Sequence, residues 1–321
     1  MPIILFGGLL IILIGAELFT NAVEWLGKKL RLSHSVTGNL LAAVGTALPE
    51  SIIPLIALYG DNKRLDVACG AIIGAPFMLS TLAMGICGLT LILCRRRTVS
   101  LDKAKISFEL CYILLCFAVF FLACFGGSYL QRIVGCILIW AYIFYAWQII
   151  KKSQHQVQEE YLRPLYFCRR KSYLLVVVVQ LAIGLNLVIF GAEVFVEGIT
   201  LTAASLGISP LVLSLILAPI ATELPEKFNS IIWILQGKDE LALGNITGAM
   251  AFQCTIIPAV VMLKTPLDLD LPAIFSSVCL VMSLAIIYIS INLSKKVQAR
   301  SFLWGFFWYA MFLALIFWSI I

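Results

Sequence analysis

GAELFTNAVEWLGKKLRLSHSVTGNLLAAVGTALPE, residues 15–50, returns without a gap at residues 191–226 as GAEVFVEGITLTAASLGISPLVLSLILAPIATELPE. Thirteen of the 36 positions are identical, among them Gly15/Gly191, Glu17/Glu193, Phe19/Phe195, Thr46/Thr222, Pro49/Pro225 and Glu50/Glu226. A self-match of that length marks an internal duplication. It continues more loosely past each LPE, where residues 65–74 (LDVACGAIIG) resemble residues 241–248 (LALGNITG).

Both copies lie in sequence that avoids water. Of the 321 residues, 62% are apolar and 12% charged, and the mean hydropathy is +1.03. That composition excludes a soluble domain. About 20 helical residues cross a bilayer core, and the chain offers ten such stretches: 3–27, 35–59, 65–94, 106–125, 130–150, 173–200, 207–235, 240–263, 272–293 and 301–320. The first lacks a basic leader and carries Glu17, so it reads as a helix and not a cleaved signal peptide. The offset of 176 residues between the copies places span one on span six. Five spans separate corresponding positions, and an odd number inverts topology. The expected fold is therefore an all-α polytopic membrane protein of ten transmembrane helices, arranged as two inverted five-helix repeats. Residues 1–150 form the first repeat, 151–172 a cytoplasmic linker and 173–321 the second repeat.

Positive charge orients the chain, because short loops rich in Lys and Arg stay in the cytoplasm. The connections after odd-numbered spans hold 18 Lys and Arg, including Arg95, Arg96, Arg97, Lys103 and Lys105, against 4 after even-numbered ones. Both termini are expected outside, in a prokaryotic cytoplasmic membrane, and the net charge of +6 needs no nucleic acid to explain it. The ten cysteines contain no CxxC pair and sit mostly in apolar spans, where packing is their expected role. No P-loop, HExxH or nucleophile motif points to an enzyme, and no cofactor is implied.

Chemistry is expected where each copy sets Thr, Pro and Glu inside an apolar span: Thr46, Pro49 and Glu50, then Thr222, Pro225 and Glu226. A proline removes one backbone donor and frees a carbonyl, so the helices are expected to open near Gly45 and Ala221. A carboxylate beside free carbonyls suits a hard cation. An unpaired Glu at that depth costs about 2.5–3.5 kcal/mol on insertion scales, which argues against a purely structural role.

The pair GTALPE and ATELPE, each preceded by a GAE helix and followed by a glycine-containing helix, resembles the α-repeats of the sodium/calcium exchanger family of calcium/cation antiporters. The resemblance covers both halves, and the chain looks like a divergent, prokaryotic-type member. It implies that Glu50 and Glu226 are the principal ligands of Ca²⁺ or Na⁺, with Thr46, Thr222 and the carbonyls of Ala43 and Pro219 completing the ion cages. It also implies that the helices bearing Glu17 and Glu193 form the sliding pair that gates access. Read from the residues alone, those two carboxylates make polar contact with a neighbouring helix.

The chain departs from the family pattern at several ligand positions. Ala47 and Glu223 stand where serines are usual, and Ala71, Ala75, Leu79 and Ala249 replace polar residues. Gln253 occupies a position where a polar or acidic ligand is usual, and Asn245 is kept. Glu223 and Lys227 are additions four residues apart on one helix face. Either they form an internal salt bridge, or Lys227 is a built-in cation that substitutes for a coupling Na⁺ and modulates the site charge. Glu109 stands alone in span four and reads as a paired or interfacial group. The expected activity is secondary antiport of Ca²⁺, or another cation, against Na⁺ or H⁺, by a monomer whose partners are inorganic cations and the lipid bilayer. The alternative, motivated by the replaced ligands, is a relative that no longer transports and serves as a membrane cation sensor or scaffold.

Overall fold

The computed structural model describes residues 2–29, 48–59, 64–99, 102–152, 164–167, 174–293 and 297–320, the side chains at 2, 24, 27, 28, 48–50, 150, 152, 220–229, 241 and 317–320 excepted. The described chain is helical, without a named strand. Helix α1 spans Pro2–Lys29 and α2 spans Leu48–Tyr59. Helix α3 (Leu65–Met78) runs through a π-helical turn (Leu79–Ala83) into α4 (Met84–Leu93), followed by α5 (Lys103–Ala123) and α6 (Ser128–Lys152). The second half holds α7 (Leu174–Leu206), α8 (Pro210–Leu235), α9 (Asp239–Gln253), α10 (Ile256–Lys264), α11 (Leu271–Leu293), α12 (Ala299–Phe302) and α13 (Trp304–Ile320).

Eight helical segments among the described residues are long and apolar enough to cross a bilayer, and Pro210–Pro219 is a shorter apolar stretch. Every expected span meets helix, although of span two only α2 is described. The chain is a multi-pass membrane protein.

Helices α1 and α7 pack against each other along their length. They run antiparallel, with Leu5 opposite Gly198, Gly8 opposite Phe195, Ile12 opposite Gly191, Gly15 opposite Val188 and Phe19 opposite Gly184. The numbers of each pair total 203, so one register holds along the whole contact. Glycines at heptad spacing, Gly8 and Gly15 on α1 and Gly184, Gly191 and Gly198 on α7, let the backbones meet. A Cβ on Gly8 would lie 2.6 Å from the Phe195 nitrogen, and one on Gly184 would lie 2.7 Å from the Phe19 nitrogen. Adding 176 to Gly8 and subtracting it from Phe195 turns the first of these contacts into the second.

The hydrophobic interior divides accordingly. The larger core joins residues of α2–α6 and α8–α13 and, among the described residues, takes no side chain from α1 or α7. A smaller core seats Leu5 and Ile12 of α1 and Val188, Ala192 and Phe195 of α7 against Ile52 and Ile53 of α2 and Val67, Ala68 and Ala71 of α3.

The larger body is fastened at both ends. At the end carrying the basic loops, Arg96 pairs in bidentate fashion with the buried Asp239 and also donates to the Ile234 carbonyl at 3.3 Å. Beside it, an isolated bridge joins Thr98 to Gln298. Its flanking bonds run from the Val99 N–H to the Val297 carbonyl (2.9 Å) and from the Ala299 N–H to the Arg97 carbonyl (3.0 Å). At the other end, the buried Gln131 amide accepts from the Leu267 N–H at 2.8 Å and donates to the Leu267 carbonyl at 3.1 Å. Asp239→Asn removes the charge that faces the guanidinium. The expected loss is about 2 kcal/mol of stability, below the range for a fully buried pair because the Arg96 side chain keeps 30% exposure. Urea or thermal unfolding in detergent measures it.

The π turn anchors α13. Its hydroxyls bond back into the helix, Ser80 Oγ and Thr81 Oγ1 both donating to the Phe77 carbonyl at 2.9 and 2.6 Å. From α11, Ser283 Oγ donates to the Ser80 carbonyl at 2.7 Å. Gly305 lies so close that a Cβ there would overlap the Thr81 carbonyl oxygen. Gly305→Ala is therefore expected to push α13 off the turn and cost about 2–3 kcal/mol, read as a lower thermal midpoint.

Candidate cation site

Four helices converge where the repeated Glu-bearing segments were expected to meet. Helix α3 packs on α2, α8 and α9, and α8 packs on α2, α3 and α9. The closest of these contacts rests on sequence. Pro219 has no N–H to offer the Leu215 carbonyl, and Gly74 of α3 lies against that carbonyl. A Cβ on Gly74 would be 2.5 Å from the Leu215 oxygen and 2.9 Å from the Pro219 ring. One turn away Gly70 meets the Leu211 oxygen in the same manner, and Ser214 Oγ donates to the Val67 carbonyl at 2.8 Å.

The expected opening near Ala221 does not occur, and Gly45 lies outside the described residues. Helix α8 is continuous from Pro210 to Leu235 through both prolines. A proline withholds one donor without ending a helix when neighbouring helices hold the segment in place. The interruption lies in span eight, between α9 and α10, where Thr255 adopts φ −123° and ψ −72°. Pro258 is the sequence signal for it, since it leaves the Cys254 carbonyl without a helical donor. Thr255 Oγ1 turns back to the Ala251 carbonyl at 2.6 Å.

Of the expected ligands, Ala43 and Thr46 lie outside the described residues. Glu50 sits in α2, and Thr222, Glu223, Glu226 and Lys227 sit in α8; these five are described as backbone only. Pro219 is buried at the α3 contact. Gln253, 1% exposed, ends α9 at the break. Ala71, Ala75, Leu79 and Ala249, the replaced ligand positions, are all buried. Among the described residues no cluster of three or more His, Cys, Asp or Glu side chains is placed to hold a metal ion.

Glu109 and Glu17, both singled out in the sequence, find partners. The buried Glu109 accepts from Thr247 Oγ1 of α9 at 2.6 Å, a pairing between α5 and the GNITG stretch that a lone Glu in sequence does not disclose. Glu17 accepts from the Tyr166 hydroxyl at 2.7 Å, a partner that comes from the inter-repeat connection. Its counterpart Glu193 is exposed on α7.

Comparison with known proteins agrees with this architecture. The family profile described as sodium/calcium exchanger protein matches residues 1–151 and 176–320. The chain is 26% identical over 292 residues to CaxA of Alkalimonas amylolytica, covering 90% of this chain and 89% of that one. It is 27% identical over 267 residues to the inner membrane protein YrbG of Escherichia coli (strain K12), covering 82% and 79%. Among solved structures, the fold resembles that of the H⁺/Ca²⁺ exchanger CAX at a TM-score of 0.74 and 17% identity, over 99% of this chain and 86% of that one.

Proposed function

The chain belongs to the sodium/calcium exchanger family, and from that premise we propose that it is a secondary antiporter that carries Ca²⁺, or another cation, against Na⁺ or H⁺. The observation that carries the reading is the α1–α7 contact, whose glycine pairs exchange places under the 176-residue repeat offset. Such exchange is what a pseudo-two-fold axis in the membrane plane produces. It supports two inverted halves, 1–150 and 173–321, joined by 151–172; ten helices with both termini outside a prokaryotic cytoplasmic membrane complete the reading, on the apolar stretches and the loop charge. The H⁺/Ca²⁺ exchanger of like fold supports Ca²⁺ as the transported ion and H⁺ as a coupling ion.

Glu50 and Glu226 are the main ligands in this reading. Thr46, Thr222, the carbonyls of Ala43 and Pro219, Glu223 and Gln253 complete the cages, and Lys227 tunes their charge. The convergence of α2, α3, α8 and α9 supports that assignment, because these elements carry Glu50, the Gly74 contact, Glu226 and Gln253. Exchange instead of one-way flux follows from electrostatics. An empty site with surplus buried negative charge is too costly to reorient, so some cation occupies it on each passage. Movement of α1 and α7 as a unit against the larger body then exposes the site to one side at a time.

Isotope flux into proteoliposomes tests the reading. ⁴⁵Ca²⁺ uptake driven by an opposing Na⁺ or proton gradient is expected. No uptake under either gradient, together with no Ca²⁺-dependent rise in thermal midpoint, would defeat it.

A further inference from the structure

The described part of the connection between the halves, residues 164–167, is seated on α1 and α7 together. Leu165, 1% exposed, is held among Ala22, Trp25 and Leu26 of α1 and Val176, Val177 and Leu181 of α7. Beside it lies a polar knot centred on Gln180, which is fully buried on α7. Gln180 Nε2 donates to the Leu18 carbonyl at 3.0 Å and to Asn21 Oδ1 at 2.9 Å, both on α1. Its Oε1 accepts from the Phe167 N–H at 3.3 Å. Asn21 in turn donates from Nδ2 to the Pro164 carbonyl at 3.4 Å. The Tyr166 hydroxyl reaches Glu17, a charge-assisted bond that fixes the carboxylate of the GAE motif.

Each of the three chain segments is thus bonded to the other two. A connection that served only as a tether needs neither a buried anchor nor amides satisfied by both helices. We propose that residues 164–167 are a clasp that holds α1 and α7 in one axial register, with Tyr166 and Gln180 as positioning residues for transport. The glycine contact sets the register along the helices, and the clasp keeps it from slipping at the end where the connection enters α7. The role in transport rests on the antiporter reading; the clasp itself does not.

The test uses the full chain in lipid nanodiscs and proteoliposomes, with Tyr166→Phe as the mild variant and Leu165→Ala as the stronger one. Hydrogen exchange over residues 164–167 and 174–181 is expected to quicken by about fivefold or more in Tyr166→Phe, and further in Leu165→Ala, with residues 103–123 and 271–293 unchanged. Ca²⁺ turnover per folded transporter, counted from the monodisperse protein recovered from the proteoliposomes, is expected to fall about threefold or more at an unaltered half-saturating concentration, a normalisation that removes any loss of folded protein. A double-mutant cycle with Glu17→Gln is expected to be non-additive. Unchanged exchange in both variants would overturn the clasp, and quickened exchange with wild-type turnover would overturn its role in transport. If the wild type carries no ion at all, the antiporter reading fails and hydrogen exchange alone decides the clasp.

Discussion

Glu50→Gln and Glu226→Gln are each expected to reduce cation exchange in proteoliposomes by about 100-fold or more. In the proposed site, neutralising one carboxylate removes a full charge from beside a dehydrated divalent ion. Even at an effective dielectric of about 20, two unit charges 4 Å apart interact by about 4 kcal/mol, and every 1.4 kcal/mol is tenfold in affinity. The stability consequence runs the other way. A protonated or amide side chain costs less to bury than an unpaired carboxylate, so the thermal midpoint without cation is expected to hold or rise. Ca²⁺-dependent stabilisation in detergent is expected to vanish in both variants. Wild-type flux in either variant would remove that residue from the site.

The second large effect lies at the α1–α7 contact. Gly191→Val places a branched carbon where a Cβ already meets the Ile12 nitrogen at 2.8 Å and the Gly8 oxygen at 3.0 Å. The opposing atoms are backbone and cannot rotate aside, so the helices must part, at a cost of about 3 kcal/mol. Because the larger core takes nothing from this pair among the described residues, the damage is expected to stay local. The protein folds and inserts, but exchange falls by about tenfold or more. Gly7→Val is the matched control on the same helix, since a Cβ there would meet nothing within 4 Å; wild-type flux is expected there. Equal losses in both variants would show that helix propensity, and not close approach, is what the glycines provide.

Much of this architecture is visible in the residues because the bilayer leaves few choices. Apolar stretches of about 20 residues have to be helices, and the paired GAE and LPE segments disclose the duplication. The family profile bears out the resemblance carried by GTALPE and ATELPE. What escaped reading depends on packing. Nothing in LSTLA announces a π turn, which is held by Ser283 of α11 across 203 positions of sequence. The bonds of Gln180 to α1 and to the connection likewise belong to tertiary structure, and a single glutamine in an apolar helix does not name its partners. The break at Thr255 was legible in principle through Pro258, but the prolines beside the Glu residues drew the same rule to α8, where the helix continues unbroken.

Within the small core, the seam between the α1–α7 pair and helices α2 and α3 is lined by aliphatic carbon, with Leu5, Ile12 and Val188 packed among Ile52, Ile53, Ala57 and Val67. Dispersion is weak per atom and has no preferred direction, so two such faces offer little directional resistance to the movement proposed for the pair. In the antiport reading the pair rides on a greased bearing, and its travel is limited by what grips its ends.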